Sequence, residues 1–466
     1  MTRAHMKRLS ALLFGPLLAL VLCASMAHAD VTLIAIGAMS GTYEDFATET
    51  AGALENGVPG NRFGGIGSGL AYAGGNIFLA LPDRGPNAKS YKAAVDHTTS
   101  YIARFHTLSL SLAPSDAGSA LPFTLTPMLV DTTRLSSQTA LVYGSGATVG
   151  LPSGVPALNA SDHTHYFTGR SDNFDPTKTS TNPANARLDP EGIRVSNDGK
   201  RVYISDEYGP YVYEFKRKTG QRVRAFPIPD NLGVSTLSPV GDTEISGNTS
   251  GRVANKGMEG LAITPDGKKL VGVMQAPLIQ DGGRIIRIVV FDVSNGKTHQ
   301  YAYALTTGSG VSEILAVNDH EFLLDERDGK GQGDGSAAAV KQIFKIDLAG
   351  ATDVSQISGA ANLMPLAVPK TLFLDVVQAL TAAGISAIHI PAKLEGMAFG
   401  PDVTLNGSPR HTLYISTDND FLAAVPDKNN VIVDHPNQFF VFAFSGAADL
   451  PGFVPQDLAP WHGDDD

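Results

Sequence analysis

The sequence predicts an all-β protein, a β-propeller, on three observations. A hairpin unit recurs along the chain: EGIRVSNDGKRVYISDEYG from Glu191, EGLAITPDGKKLVGVMQAP from Glu259, and EGMAFGPDV from Glu395, which resumes as HTLYISTDND. Looser copies are GSGLAYAGGNIFLALPDRGPN from Gly67 and SEILAVNDHEFLLDERDG from Ser312. A period of several tens of residues with about four strands each is the signature of propeller blades. The copies turn on hairpin chemistry, Asn197-Asp198-Gly199, Pro265-Asp266-Gly267 and Gly74-Gly75-Asn76. Finally, 49 glycines and 28 prolines against 17% charged residues suit many short strands joined by turns.

The elements follow in chain order. Residues 1–29 read as a secretory signal peptide: Arg3, Lys7 and Arg8, then LSALLFGPLLALVLC, then the small-residue pattern Ala27-His28-Ala29 before Asp30. The apolar run is too short for a membrane span. Cleavage would remove Cys23, the single cysteine, and with it any disulfide framework. It would also make the formal charge of −11 more negative. That balance argues against nucleic-acid and anionic-membrane partners and suits a secreted or periplasmic protein that binds cations. Residues 30–60 are expected to close the propeller, 61–450 to form it, and 451–466 to be a tail whose Asp464–Asp466 end is disordered.

Repeat starts at Ser68, Glu191, Glu259, Glu313 and Glu395 leave one gap twice the others. An extra blade is expected there, around IARFHTLSLSLA and LPFTLTPMLV, giving six blades, with seven the alternative. The same gap holds HTHYFTGRSDNFDP, where His163 and His165 with Asp162, Asp172 or Asp175 could form a zinc set; lacking cysteines or a second histidine pair, it reads as a polar loop. Fourth-strand material follows the other hairpins, as in YVYEFKRKTG, RIIRIVVFDVSNG and QIFKIDLAG. LFLDVVQALTAAG, with Leu372, Val376 and Leu380 at helical spacing, predicts a short helical insertion near 370–384.

If the repeated first strand is the innermost of its blade, every copy delivers its acids to one mouth of the central channel. That gathers Glu191, Glu259, Glu313 and Glu395, with Asp83, Asp206, Glu207, Asp325, Glu326 and Asp418 beside them. Converging carboxylates raise one another's pKa and need a partner. One partner is calcium, which takes several oxygen ligands at flexible geometry. The other is arginine: Arg84 and Arg327 hold matching places in DRG and ERDG and suit an anionic substrate. Alternatively, the acids fasten blades by bonding arginines and backbone amides. No G-x-S-x-G elbow, P-loop or H-E-x-x-H is present. GGIGSG from Gly64 is followed by a strand pattern, so it reads as a turn and not as a dinucleotide fingerprint.

LDPEGI followed by ISDEYGP, then GMEGLAITPDGKKL, K-x-EGMAFGPD, DRGPN and LLDERDG resemble the phytase-like secreted proteins, those described by an esterase-like activity of phytase. The resemblance runs from about Gly64 to Phe444 and implies a propeller with phosphoesterase or esterase activity. The β-propeller phytases to which that family is similar use calcium in an acidic channel mouth to bind phosphate and position an attacking water. What carries over is Glu191, Asp206, Glu207, Glu259, Glu395 and the DRG and ER motifs. Gln275, where another repeat has an acid, and the first repeat, which has no glutamate, depart from full symmetry.

The function expected is a calcium-dependent hydrolase of phosphate esters. Glu191 or Glu259 is the general base, and Arg84 and Arg327 bind the substrate. Asp83, Asp206, Glu207, Glu313, Glu326, Glu395 and Asp418 are the candidate metal ligands. The same acids would serve a calcium-dependent lactonase or carboxylesterase, or a propeller that binds without catalysis.

Overall fold

A computed structural model describes residues 1, 31–87, 91–160 and 163–459. Residues 2–30, where a signal peptide with Cys23 is expected, Asp162 and the acidic end Asp464–Asp466 lie outside the described residues. The described chain forms five four-stranded antiparallel sheets, the blades of a propeller. Their innermost strands are Gly69–Tyr72, Pro190–Val195, Met258–Ile263, Gly310–Ala316 and Leu394–Leu405. Each packs against the next, and the last against the first, around one channel.

The count is five, not six. IARFHTLSLSLA and LPFTLTPMLV supply Arg104–Pro114 and Phe123–Arg134, the outer pair of the first blade. The rest of the gap is mainly loop, with one two-residue pairing of Ser136–Ser137 to His165–Tyr166. The repeat spacing was long there because the first blade carries long outer strands and an insertion follows it.

Ring closure joins distant parts of the chain. Thr32–Met39 is the outermost strand of the fifth blade and runs antiparallel to Asn437–Phe444, from Thr32 opposite Ala443 to Met39 opposite Asn437. Between blades the packing is apolar. Leu79, Leu81 and Phe105 of the first blade meet Ile193, Ile204 and Tyr213 of the second, all fully or almost fully buried. Each such side chain contributes roughly 1.5–3 kcal/mol of burial.

The innermost strands crowd one another, which explains the glycine of the E-G opening. A Cβ at Gly192 would stand 2.6 Å from Leu261 N, and one at Gly260 would stand 2.7 Å from Glu313 Cα. In the fourth blade, Glu313 itself holds the glycine register. Sequence alignment of acids puts it in the glutamate's place, but Val311 pairs with Glu326 as Met258 does with Met274, so Ser312 stands there instead. A one-residue shift in a strand turns a side chain to the other face.

The helical insertion is shorter than its spacing suggests. Lys370–Asp375, with Leu372 and Phe373, is the outermost strand of the fourth blade, and only Val376–Ala382 is helix. The free edge of Lys341–Asp347 captures the first residues, and Asp375 caps the helix by accepting from Gln378 N at 2.9 Å.

The C-terminal segment crosses the far mouth. Val454 N donates to Val317 O, Gln456 Nε2 to Val195 O and Ala459 N to Asn197 O, each at 2.8 Å. An apolar cavity of about 90 Å³ lies under this strap, among Leu70, Ile263, Leu315, Ala398 and Phe453.

Candidate metal and substrate site

The acidic mouth lies at the opposite end of the channel, where the innermost strands begin and their partners end. Asp189 and Glu191 stand two apart at the start of the second blade, and Glu207 follows the strand paired with it. One carboxylate oxygen from each of these three lies within 4.8 Å of the others. Oxygen ligands at ~2.4 Å from a calcium ion are separated by up to about that distance, so the donor set fits a hard cation.

The electrostatics point the same way. Glu191 is 8% exposed, and no hydrogen bond to its carboxylate is present among the described residues. Burial, then the charges of Glu259, Asp189 and Glu207, push its pKa well above the usual carboxylate range. Glu207 is pushed well up by burial and by Glu259, and Asp83 by burial and by Asp418. Glu259 is pushed up to about 7, by burial and by Glu395, against the pull of Arg327. Buried acids therefore outnumber the cations Arg84, Arg327 and Lys393 at this mouth, and the excess must be met by protons or by a bound cation.

The cations are already engaged. Arg84 Nη1 pairs with Asp189 Oδ2 at 2.5 Å and donates to Asn255 Oδ1. Arg327 donates to Ser312 Oγ and pairs with Glu395, with Glu259 Oε1 3.7 Å away. Lys393 Nζ lies 2.6 Å from both Asp418 Oδ2 and Asp420 Oδ1. Gln275 Nε2, the amide in an acid's place, donates to Glu259 Oε1 at 2.7 Å.

Of the residues expected at the mouth, the structure brings together Asp83, Arg84, Glu191, Glu207, Glu259, Arg327, Glu395 and Asp418. Four others are held apart from it. Glu313 pairs with Arg194 Nη2 at 3.0 Å, deeper in the channel, where Arg194 also donates to Leu70 O and Ile314 O. Glu326 accepts from Thr306, Thr307 and Gly308 amides, from Tyr303 Oη at 2.9 Å and from Lys370 Nζ at 2.5 Å. Burial opposes its charge, but Lys370 and the amides hold its pKa down to about 2. Asp206 accepts from the amides of Asp189, Tyr208 and Gly209 and braces the turn after its strand. Asp325 is buried beside Arg327 and Lys341, pushed by that burial up to about 7. Each departure follows from strand alternation: adjacent acids such as Asp325 and Glu326 face opposite ways.

Besides Asp420, two residues after Asp418, two members of the mouth were not singled out from sequence, Asp189 and Lys393. A period-2 signal could have found both, since each stands two residues before a site glutamate in LDPEG and KLEG. In the histidine loop, Asp172 is taken by Arg170 at 2.8 and 2.6 Å and Asp175 by Thr177 at 2.7 Å. His163 and His165 belong to no metal-ligating cluster among the described residues. Nor is any described helix long and apolar enough to cross a membrane.

Fold and mouth together define a β-propeller with a desolvated, cation-competent carboxylate cluster at one end of its channel. Residues 61–421 match the phytase-like family, described by "Esterase-like activity of phytase", and the chain belongs to that family. An "Uncharacterized secreted protein" of Arthroderma benhamiae is 33% identical over 177 residues, 30% of this chain and 34% of the relative, so the match spans about a third of that protein. Among solved structures, a putative 6-phosphogluconolactonase from Bacteroides uniformis is similar at 14% identity and TM-score 0.29, covering 80% of this chain and 88% of that one. A PQQ-bound aldose sugar dehydrogenase from Streptomyces coelicolor is similar at 10% identity and TM-score 0.29, covering 90% and 99%. At those scores neither bears on function.

Proposed function

We propose that this protein is a secreted, calcium-dependent hydrolase of phosphate esters. The observation that carries the reading is Glu191: a buried carboxylate with no hydrogen-bond partner among the described residues, facing Asp189, Glu207 and Glu259. Asp189, Glu191 and Glu207 would hold the cation, bordered by Asp83, Glu395 and Asp418. A bound calcium would neutralise substrate phosphate and acidify a water. Glu259, its pKa raised to about 7 and its carboxylate accepting from Gln275, would take a proton as general base. Arg84 and Arg327 add positive charge for the phosphate at the rim of the acid cluster. Membership of the phytase-like family supports the same chemistry.

A second reading draws on the arginines. Arg84 and Arg327 are paired with Asp189 and Glu395, which leaves less positive charge for an anionic substrate and favours a neutral lactone or acyl ester. One experiment separates the two. Aryl phosphate, lactone and acyl ester panels are assayed with calcium and after chelation. Calcium-dependent turnover of the phosphate supports the first reading, and turnover confined to the lactone or acyl ester supports the second. No metal-linked turnover on any panel would discard both.

A further inference from the structure

A second polar cavity adjoins the mouth, outside the repeated strands. It is small, about 20 Å³, and Arg84, Arg187 and Arg252 line it together with Asp96 and Glu244. Arg187 and Arg252 are 3% and 1% exposed. Both pair with Glu244, Arg252 Nη1 at 2.6 Å and Arg187 Nη2 at 3.5 Å. Among the described residues Arg252 Nη2 and Arg84 Nε have no hydrogen-bond partner, and Arg187 Nη2 has only that 3.5 Å ion pair. Buried guanidinium donors without a full partner are costly, so a group of them around one cavity calls for an acceptor.

The acids present do not supply it. Glu244 is satisfied by the two arginines and by Ser238 N at 3.1 Å, and Asp96 accepts from Gly241 N at 2.5 Å. The guanidinium groups are also held in place. Arg187 lies over the rings of Phe174 and Tyr208 at 4.7 and 4.9 Å, and Arg252 Nε donates to Tyr208 O at 2.9 Å. Fixed, partly unpaired planar donors around a cavity are a receptor for planar or tetrahedral oxyanions.

We propose that Arg84, Arg187 and Arg252 form an oxyanion-binding pocket that takes a phosphate or carboxylate group. Through Arg84, which also holds Asp189, the pocket is joined to the carboxylate cluster, so a ligand's second anionic group can lodge here. The proposal does not depend on the hydrolytic reading of the mouth, because it is tested without metal.

The test titrates the full-length protein with inorganic phosphate and, separately, acetate, in excess chelator, following Tm and calorimetric heat. Chloride at matched ionic strength is the control. The expected result is saturable binding of phosphate or acetate with a rise in Tm that chloride does not reproduce, the two arms distinguishing the two anions. Arg252→Lys keeps a charge beside Glu244 but lacks the second Nη, and binding should weaken roughly tenfold or more. Ala254→Asp, on the half-buried wall of the cavity, places a carboxylate against the arginines and should abolish it. Should Arg252→Lys fail to fold, Ala254→Asp decides. Binding undiminished in Ala254→Asp, or no saturable binding of either anion, overturns the proposal.

Discussion

Glu259 and Glu326 show how one residue type takes opposite roles in neighbouring blades. Glu259 is held near neutrality by burial and by Glu395, so it can exchange a proton at physiological pH. Glu259→Gln should cut turnover at least ~100-fold if it is the base, with Tm unchanged or higher because a like-charge contact with Glu395 is removed. Steady-state kinetics beside a melting curve check both halves, and retained turnover would remove Glu259 from the mechanism. Glu326 is the reverse case, a carboxylate satisfied by Lys370, a tyrosine and three amides. Glu326→Gln should destabilise by about 3 kcal/mol, since it leaves Lys370 without its counter-charge. Denaturant unfolding measures that, and a loss under about 1 kcal/mol would contradict it.

At the scale of an element, the innermost strand does two jobs at adjacent positions. The residue in the glutamate's place faces the mouth, and the next must be small because the neighbouring blade's backbone lies against it. Gly260→Ala would drive a methyl group to 2.7 Å from Glu313 Cα, a backbone atom that cannot swing away. Overpacking of this kind costs about 1–3 kcal/mol, and a Tm fall of several degrees is expected. An unchanged Tm would mean that the blades are free to spread. The fourth blade tolerates Glu313 in this register because Arg194 and the amides of Leu261 and Ile314 receive its carboxylate.

At the scale of the molecule, the blades hold a group of like charges that each would shed alone. Glu259 and Asp206 have folded pKa values raised to about 7 and about 6, and burial with neighbouring carboxylates raises Glu191, Glu207 and Asp83 well above the usual carboxylate range. For these acids the native state binds more protons than the unfolded chain above pH ~4.5, so stability falls as pH rises through that window. The metal-free protein should therefore melt at lower temperature at pH 7.5 than at pH 5.5. Calcium, by binding only the native state, should reverse the fall, more strongly at the higher pH because it competes with protons. Glu326, lowered to about 2, opposes this trend only below pH ~4.5, where its stabilisation is lost as pH drops. Melting curves across pH 5.5–8 with calcium, magnesium or chelator test it, and a metal-free Tm that rises with pH would contradict it.

What the sequence determined by itself is local and periodic. Turn chemistry at Asn197-Asp198-Gly199, alternation in the strands and the recurring E-G opening dictate hairpins, their repetition and hence a propeller. They also dictate that Glu191, Glu259 and Glu395 share one mouth, because a period of 2 and a common strand start leave no other arrangement. The tertiary structure decided what depends on contacts distant in sequence. The blade count turned on whether Arg104–Pro114 and Phe123–Arg134 pair with an existing hairpin or start a new one, which hydrogen-bonding partners far along the chain settle. The fate of Glu313 and Glu326 turned on a one-residue register and on Arg194 and Lys370, whose approach no local pattern encodes. Likewise Asp189 becomes part of the carboxylate cluster only when Glu207 is folded beside it, since side-chain proximity across strands is a property of the sheet and not of the segment.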